Sequence, residues 1–304
     1  MDQNKPKISK KVIIAIAIAA LLLAAGGAYA YFEIQERDAA LGRLAQATEL
    51  LASADSIVID VDTVVRGDIT PELGANASQA ATALPTAVDE LQEAKALLQR
   101  IQDDLPEDRA QEAVALIASA EGRLEMLEHA PPILQANIVA AAALEPARAA
   151  WEHVSAAEDL KDQATTEYNR LTRASVTRSQ QLNTQAEERF KQAVEQFRLA
   201  DEAFPEAELT RFIAYIESNL EMLAVSKRAD AAFLAGRIAE ANTLAAQVNT
   251  KDAQIVEQLK ALPETPEAAI AGAYEKLAGV ATESYFEARD RVTKADAELE
   301  RLAQ

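Results

Sequence analysis

The stretch ATALPTAVDELQEAKALLQRIQDDLPED, residues 81–108, decides how the chain is read. Leu84, Ala87, Leu91, Ala94, Leu98, Ile101 and Leu105 recur at spacings that alternate three and four. On an α-helix such positions form one stripe, and the stripe must bury against another helix. Thr86 and Asp89 resemble a capping box with Asp in place of Glu, which predicts a helix start there. DDLPED (103–108) breaks the helix and restarts it, with Pro106 suited to a first helical turn.

The same stripe recurs on both sides. Upstream it reads Leu44, Ala47, Leu51, Ala54, Val58, Val61 and Val65; downstream it reads Ala110, Ala113, Ile117, Ala120, Leu124 and Leu127. SIVIDVDTVV (56–65) is rich in β-branched residues and has strand character, but the seam runs through it unbroken, so helix is expected. RGDITPELGANAS (66–78) reads as a turn-rich linker, and HAPP (129–132) as the end of the third helix. Pro146 predicts a kink or restart near Glu145, followed by a helical segment from about 147 to 180. Later seams use Ala186, Phe190, Ala193, Phe197, Ala200 and Phe204, and then Leu209, Phe212, Ile216, Leu220 and Leu223 on a helix over 206–235. Gly236, TKD (250–252) and ALPETPE (261–267) punctuate the chain beyond residue 235, with Thr265 as a cap before Pro266. The last helix carries Ala278, Ala281, Tyr285, Ala288, Val292, Ala295, Leu299 and Leu302.

Composition agrees with helices. Hydrophobic residues make up 49% of the 304, yet aromatics only 5%, and alanine, the best helix former, supplies much of the rest. Nine Gly and ten Pro leave little material for an all-β fold. The formal charge is -19, although Lys5, Lys7, Lys10 and Lys11 make the first residues basic, so the body is more acidic still. An acidic body is repelled by nucleic-acid phosphates and anionic headgroups, which argues against nucleic acid as a partner. The absence of cysteine excludes disulfides, thiolate catalysis, Cys-ligated zinc and a lipoprotein-type acyl anchor.

Near the start stands KKVIIAIAIAALLLAAGGAYAYFE (10–33), uncharged from Val12 to Phe32. About 20 apolar residues cross a bilayer as a helix. Lys10 and Lys11 precede the run, whereas Glu33, Glu36 and Asp38 come after it, so the N-terminus is expected in the cytoplasm and the body outside. Tyr31 and Phe32 sit at the outer end like an interfacial aromatic belt. A cleavable signal is the alternative, because Ala28-Tyr29-Ala30 fits a small-x-small cleavage site. Both fates export the body.

ERFKQAVEQFRLADEAFP (188–205) resembles the second helix of a tetratricopeptide repeat at Phe190, Ala193, Phe197, Ala200 and Pro205. GRIAEANTLAAQV (236–248) is similar at Gly236, Ile238, Glu240 and Ala241. Neither unit is preceded by the family's Trp/Leu/Gly pattern, and the two do not keep its period of about 34 residues. The resemblance implies a superhelical groove for peptides or protein partners, without catalysis.

Motifs for chemistry are sparse. His129 and His153 lack the Glu-x-x-His spacing of di-iron bundles; helix-end placement suits His129 and a half-exposed helix position suits His153. No GxxxxGK[ST], GxGxxG or GxSxG occurs, and the carboxylates follow solvated helix faces. Arg66-Gly67-Asp68 is an RGD tripeptide in the expected linker, Asn76-Ala77-Ser78 is a glycosylation sequon, and Trp151 is expected in a helix–helix core.

The expectation is therefore an all-α protein: an N-terminal transmembrane helix followed by an antiparallel helical bundle of coiled-coil-like hairpins. Residues 1–11 form a basic cytoplasmic tail, 12–32 the membrane helix, 33–66 a helical stalk, 67–145 the first part of the bundle and 146–304 the second. Its expected role is a scaffold or adaptor at the outer face of a cell membrane, in a bacterial envelope, without enzyme activity, cofactor or metal. The bilayer, met through residues 12–32, and a protein partner or a second copy are its expected contacts. A sensory module acting through a membrane partner, or a soluble exported binding protein if the chain is cut after Ala30, are the alternatives.

Overall fold

In the computed structural model the described residues run from 10 to 302, with side chains from Gln35 onward. They form seven α-helices and no strand: α1 Lys10–Val65, α2 Pro71–Ile101, α3 Glu107–Tyr168, α4 Arg173–Ala203, α5 Thr210–Leu234, α6 Ile238–Lys260 and α7 Pro266–Leu302. The β-branched stretch 56–65 is helical, because Val58, Val61, Val64 and Val65 all bury. Among the described residues no helix is long and apolar enough to cross a membrane, and the side chains of the expected span, 12–32, lie outside them.

Contacts gather the chain into two units, each assembled from non-contiguous segments. The first takes the described residues up to Val58, Pro85–Leu127 and those from Phe286 to Leu302. Its core joins Ala40, Leu44 and Ala47 of α1 to Ala94, Leu98 and Ile101 of α2 and to Ala113 of α3. Arg123 of α3 ties three helices together: its Nε donates to Asp55 Oδ1 of α1 at 2.9 Å, and its Nη1 and Nη2 donate to the two oxygens of Asp296 of α7 at 3.0 Å each. Burial works against that guanidinium charge, but the bonds to Asp296 and Asp55 outweigh it and raise the Arg123 pKa. Gly122, one residue earlier, lets α7 approach: a Cβ there would meet Val292 Cγ2 at 2.8 Å and the Val292 backbone nitrogen at 3.3 Å.

The second unit comprises Ile59–Leu84 and Glu128–Tyr285. Its core runs from Ala140, Ala143, Ala147 and Val154 of α3, through Phe190, Ala193, Phe197 and Ala200 of α4, to Phe212 and Ile216 of α5. Phe197 stacks on Phe212 at a centroid distance of 5.2 Å, and Trp151 meets the same ring edge-on at 5.7 Å. Helices α4 and α5, and then α5 and α6, pack along one another across short turns. The first residues after α3 turn through Leu171 at φ 51°, and Thr172 and Ser175 then form a reciprocal capping box that starts α4. Gly236 at φ 77° closes α5, and the Arg237 N–H donates to the Ala232 carbonyl at 2.9 Å, the long bond of a Schellman motif.

Several expected breaks are absent. HAPP does not end the third helix, and Pro146 does not restart it: α3 is helical through Pro131, Pro132 and Pro146 and stops only at Tyr168. An interior proline costs about 3 kcal/mol. Around the first two, Ala130, Ile133, Leu134, Ala136 and Asn137 are all at most 1% exposed, and that burial outweighs the local cost. His129 consequently lies inside α3 rather than at a helix end. The linker shrinks to residues 66–70, where Thr70 Oγ1 accepts from Leu73 N at 3.1 Å and Pro71 opens α2. Thr86 and Asp89 are interior to α2, which continues through Pro85, and TKD is interior to α6. The DDLPED break holds, as a 3-10 turn over Gln102–Asp104, and Thr265 Oγ1 caps α7 by accepting from Ala268 N at 3.2 Å.

Two glycines make opposite predictions. Gly122→Ala should destabilise the protein, because the new methyl would lie 2.8 Å from Val292 Cγ2 and press on the Val292 backbone nitrogen at 3.3 Å. Gly272→Ala, on an exposed face of α7 with nothing within 4 Å of the new Cβ, should stabilise it by about 0.5–1 kcal/mol. Urea unfolding of the two variants checks the pair.

Candidate functional site

Polar side chains occupy core positions in one part of the second unit. Carried backward along α4, the seam of threes and fours passes from Ala186 to Asn183, Ser179 and Val176. On α5 it passes from Phe212 and Ile216 to Asn219, Leu223, Ser226 and Asp230. Ser179, Asn183, Asn219 and Asp230 are each at most 4% exposed. A seam that carries hydroxyls, amides and a carboxylate cannot close as an apolar one does, since each buried polar group needs a partner.

Here a cleft of about 220 Å³ opens among α3, α4, α5 and α6. Helix α3 lines it with Lys161, Asp162, Thr165 and Tyr168, and α4 with Ser179 and Asn183. Met222, Ser226, Ala229 and Asp230 come from α5, and Ala245, Val248, Asn249 and Asp252 from α6. Asp230 is the buried centre: its Oδ1 accepts from Ser179 Oγ at 3.1 Å and its Oδ2 from Asn183 Nδ2 at 2.9 Å. Among the described residues no lysine, arginine or histidine pairs with it. Burial pushes its carboxyl up to about 6, and the two hydrogen bonds offset only part of that. Burial also raises the Tyr168 hydroxyl, with the Asp230 charge adding to the effect.

Lys161, the cleft's cation, is already engaged. It pairs with Glu158, donates to Asn219 Oδ1 at 3.2 Å and lies 3.8 Å from Asp252. Glu158 in turn accepts from the Tyr215 hydroxyl at 2.8 Å. Burial, followed by the Glu158 charge, raises the Tyr215 pKa. The cleft thus offers buried negative charge, hydrogen-bonding amides and hydroxyls, and the apolar side chains of Met222 and Val248.

The residues singled out in the sequence lie elsewhere. Lys10, Lys11, Ala28, Ala30, Tyr31 and Phe32 fall outside the described side chains. Phe190, Ala193, Phe197 and Ala200 are fully buried in the second unit's core, on the same α4 seam but farther along it than Ser179 and Asn183. His153 is half-buried, with Nδ1 3.4 Å from Arg189 Nη1. Arg66, Gly67 and Asp68 are exposed after α1, and Asn76 and Ser78 are exposed on α2 itself. Among the described residues no three His, Asp or Glu side chains gather as metal ligands. No protein-family model, curated protein or solved structure matches the chain.

The cost of Asp230 is measurable. Its folded pKa of about 6 lies above the ordinary aspartate value of 3.8, so the fold favours the protonated form. That contribution to stability is full below about pH 4 and is lost as pH rises through about 6. Asp230→Asn, which keeps the shape and removes the charge, should raise unfolding free energy at pH 7 by about 1–3 kcal/mol. The gain should vanish near pH 4. Thermal or urea unfolding at the two pH values checks this, and a destabilised variant at pH 7 would count against it.

Proposed function

We propose that this protein is a single-pass, membrane-anchored helical scaffold that presents its acidic body at the extracytoplasmic face and holds a protein partner there. The observation that carries this reading is the continuity of α1. One helix runs from Lys10 to Val65, so the uncharged run and the part of the helix built into the packed body are a single element. A helix that leaves the bilayer without a joint fixes the body relative to the membrane, which is what an adaptor requires. The lysines before the run and the carboxylates after it support the orientation, and the acidic surface supports solubility outside the lipid. Recognition would proceed through helix faces, as in other helical adaptors.

Cell fractionation tests the reading. The full chain should stay with membranes through an alkaline carbonate wash, and a chain lacking residues 1–32 should not. N-terminal sequencing of the native protein should find residues 12–32 retained. A mature chain that begins at Tyr31 would overturn the anchor, and crosslinking in intact membranes that captures no protein would overturn the adaptor role.

A further inference from the structure

We infer that the cleft among α3, α4, α5 and α6 is a binding site for a small aliphatic amine, whose ammonium group pairs with the buried carboxylate of Asp230. The inference stands apart from the membrane anchor, because every group it uses lies in the second unit.

The chemistry is set by the groups the cleft holds and the charge it lacks. Asp230 is 1% exposed and accepts two neutral hydrogen bonds, from Ser179 and Asn183. A carboxylate has about four lone-pair sites, so acceptor capacity remains. Burying a charge is expensive unless an opposite charge meets it, and no side chain of the described residues supplies one. An amide in its place would satisfy the same neighbours without that cost. A buried carboxylate that has no charged partner and lines a cavity is a candidate for ligand pairing.

Other ligand classes fit less well. An anion would face Asp162, Asp230 and Asp252, with Lys161 already held by Glu158 and Asn219. Calcium and magnesium want about six or more oxygens and zinc about four ligands, and not even three His, Asp or Glu side chains gather as ligands among the described residues. An ammonium group needs few acceptors, and its alkyl body can lie against Met222 and Val248. The volume of about 220 Å³ exceeds the roughly 150 Å³ that admits benzene, so a chain of several carbons has room. Asp162 on the same lining favours a second ammonium, which makes a short diamine the best probe.

The test is calorimetric titration and thermal melting of the full chain in detergent with diaminobutane. Butanediol serves as the neutral counterpart, and sodium chloride at matched ionic strength as the screening control. Diaminobutane should bind saturably and raise the melting temperature, while the diol and the salt should not. Asp230→Asn should weaken binding by about thirtyfold or more while circular dichroism shows an intact fold. Ala245→Phe, which fills the cleft and keeps Asp230, should abolish binding, and it decides the matter should Asp230→Asn fail to fold. Equal stabilisation by diol or salt, unchanged affinity in either folded variant, or no binding by the native chain would each overturn the assignment.

Discussion

The second unit depends on how closely its helices approach through alanine. Alanine is by far the most frequent buried residue among the described residues, and Ala140, Ala143, Ala147, Ala186, Ala193 and Ala200 all stand on helix faces that meet in one core. A methyl group takes little space between two backbones, so neighbouring helices gain dispersion contact along their whole length. Large side chains enter only where a facing helix leaves room, as Phe190, Phe197 and Phe212 do. In the first unit Gly122 extends the same logic, giving up even the methyl where α7 passes.

Against that background the polar seam positions matter energetically. Where α4 carries Ser179 and Asn183, and α5 carries Asn219 and Asp230, hydrogen bonds join the helices beside buried apolar neighbours such as Val176 and Ala229. Hydrogen bonds contribute less per buried area than apolar packing, and they leave a cavity where side-chain shapes do not interlock. The cleft is the consequence of breaking the alanine rule at a few positions on two adjacent helices. At this one place a buried carboxylate without a charged partner lines a cavity, the arrangement on which the inferred amine site rests.

Much of the fold was legible in the sequence because the signal is periodic. The threes and fours through Ala87–Leu105 and Ala186–Phe204 mark faces that bury, and Gly236 and the Thr265-Pro266 pair mark ends that hold. Proline misled. Pro131, Pro132 and Pro146 are strong local breakers, yet each sits inside α3, since a local penalty of a few kcal/mol is offset by burial that only the folded chain provides. The cleft was missed for a related reason. Reading the seam as an apolar pattern stops it at Ala186, whereas continuing the same spacing backward reaches Ser179 and Asn183. A polar residue in register with a hydrophobic stripe is the signal that finds such a site.

The claim that alanine sets the spacing of these helices is tested most directly by urea unfolding of two leucine substitutions compared side by side. Ala193 is fully buried on the α4 seam, and Ala224 is exposed on α5. Ala193→Leu should lower unfolding free energy by about 1–3 kcal/mol, because the added carbons force the helices apart. Ala224→Leu should stay within about 0.5 kcal/mol of the native chain. Equal tolerance of leucine at both positions would contradict the account.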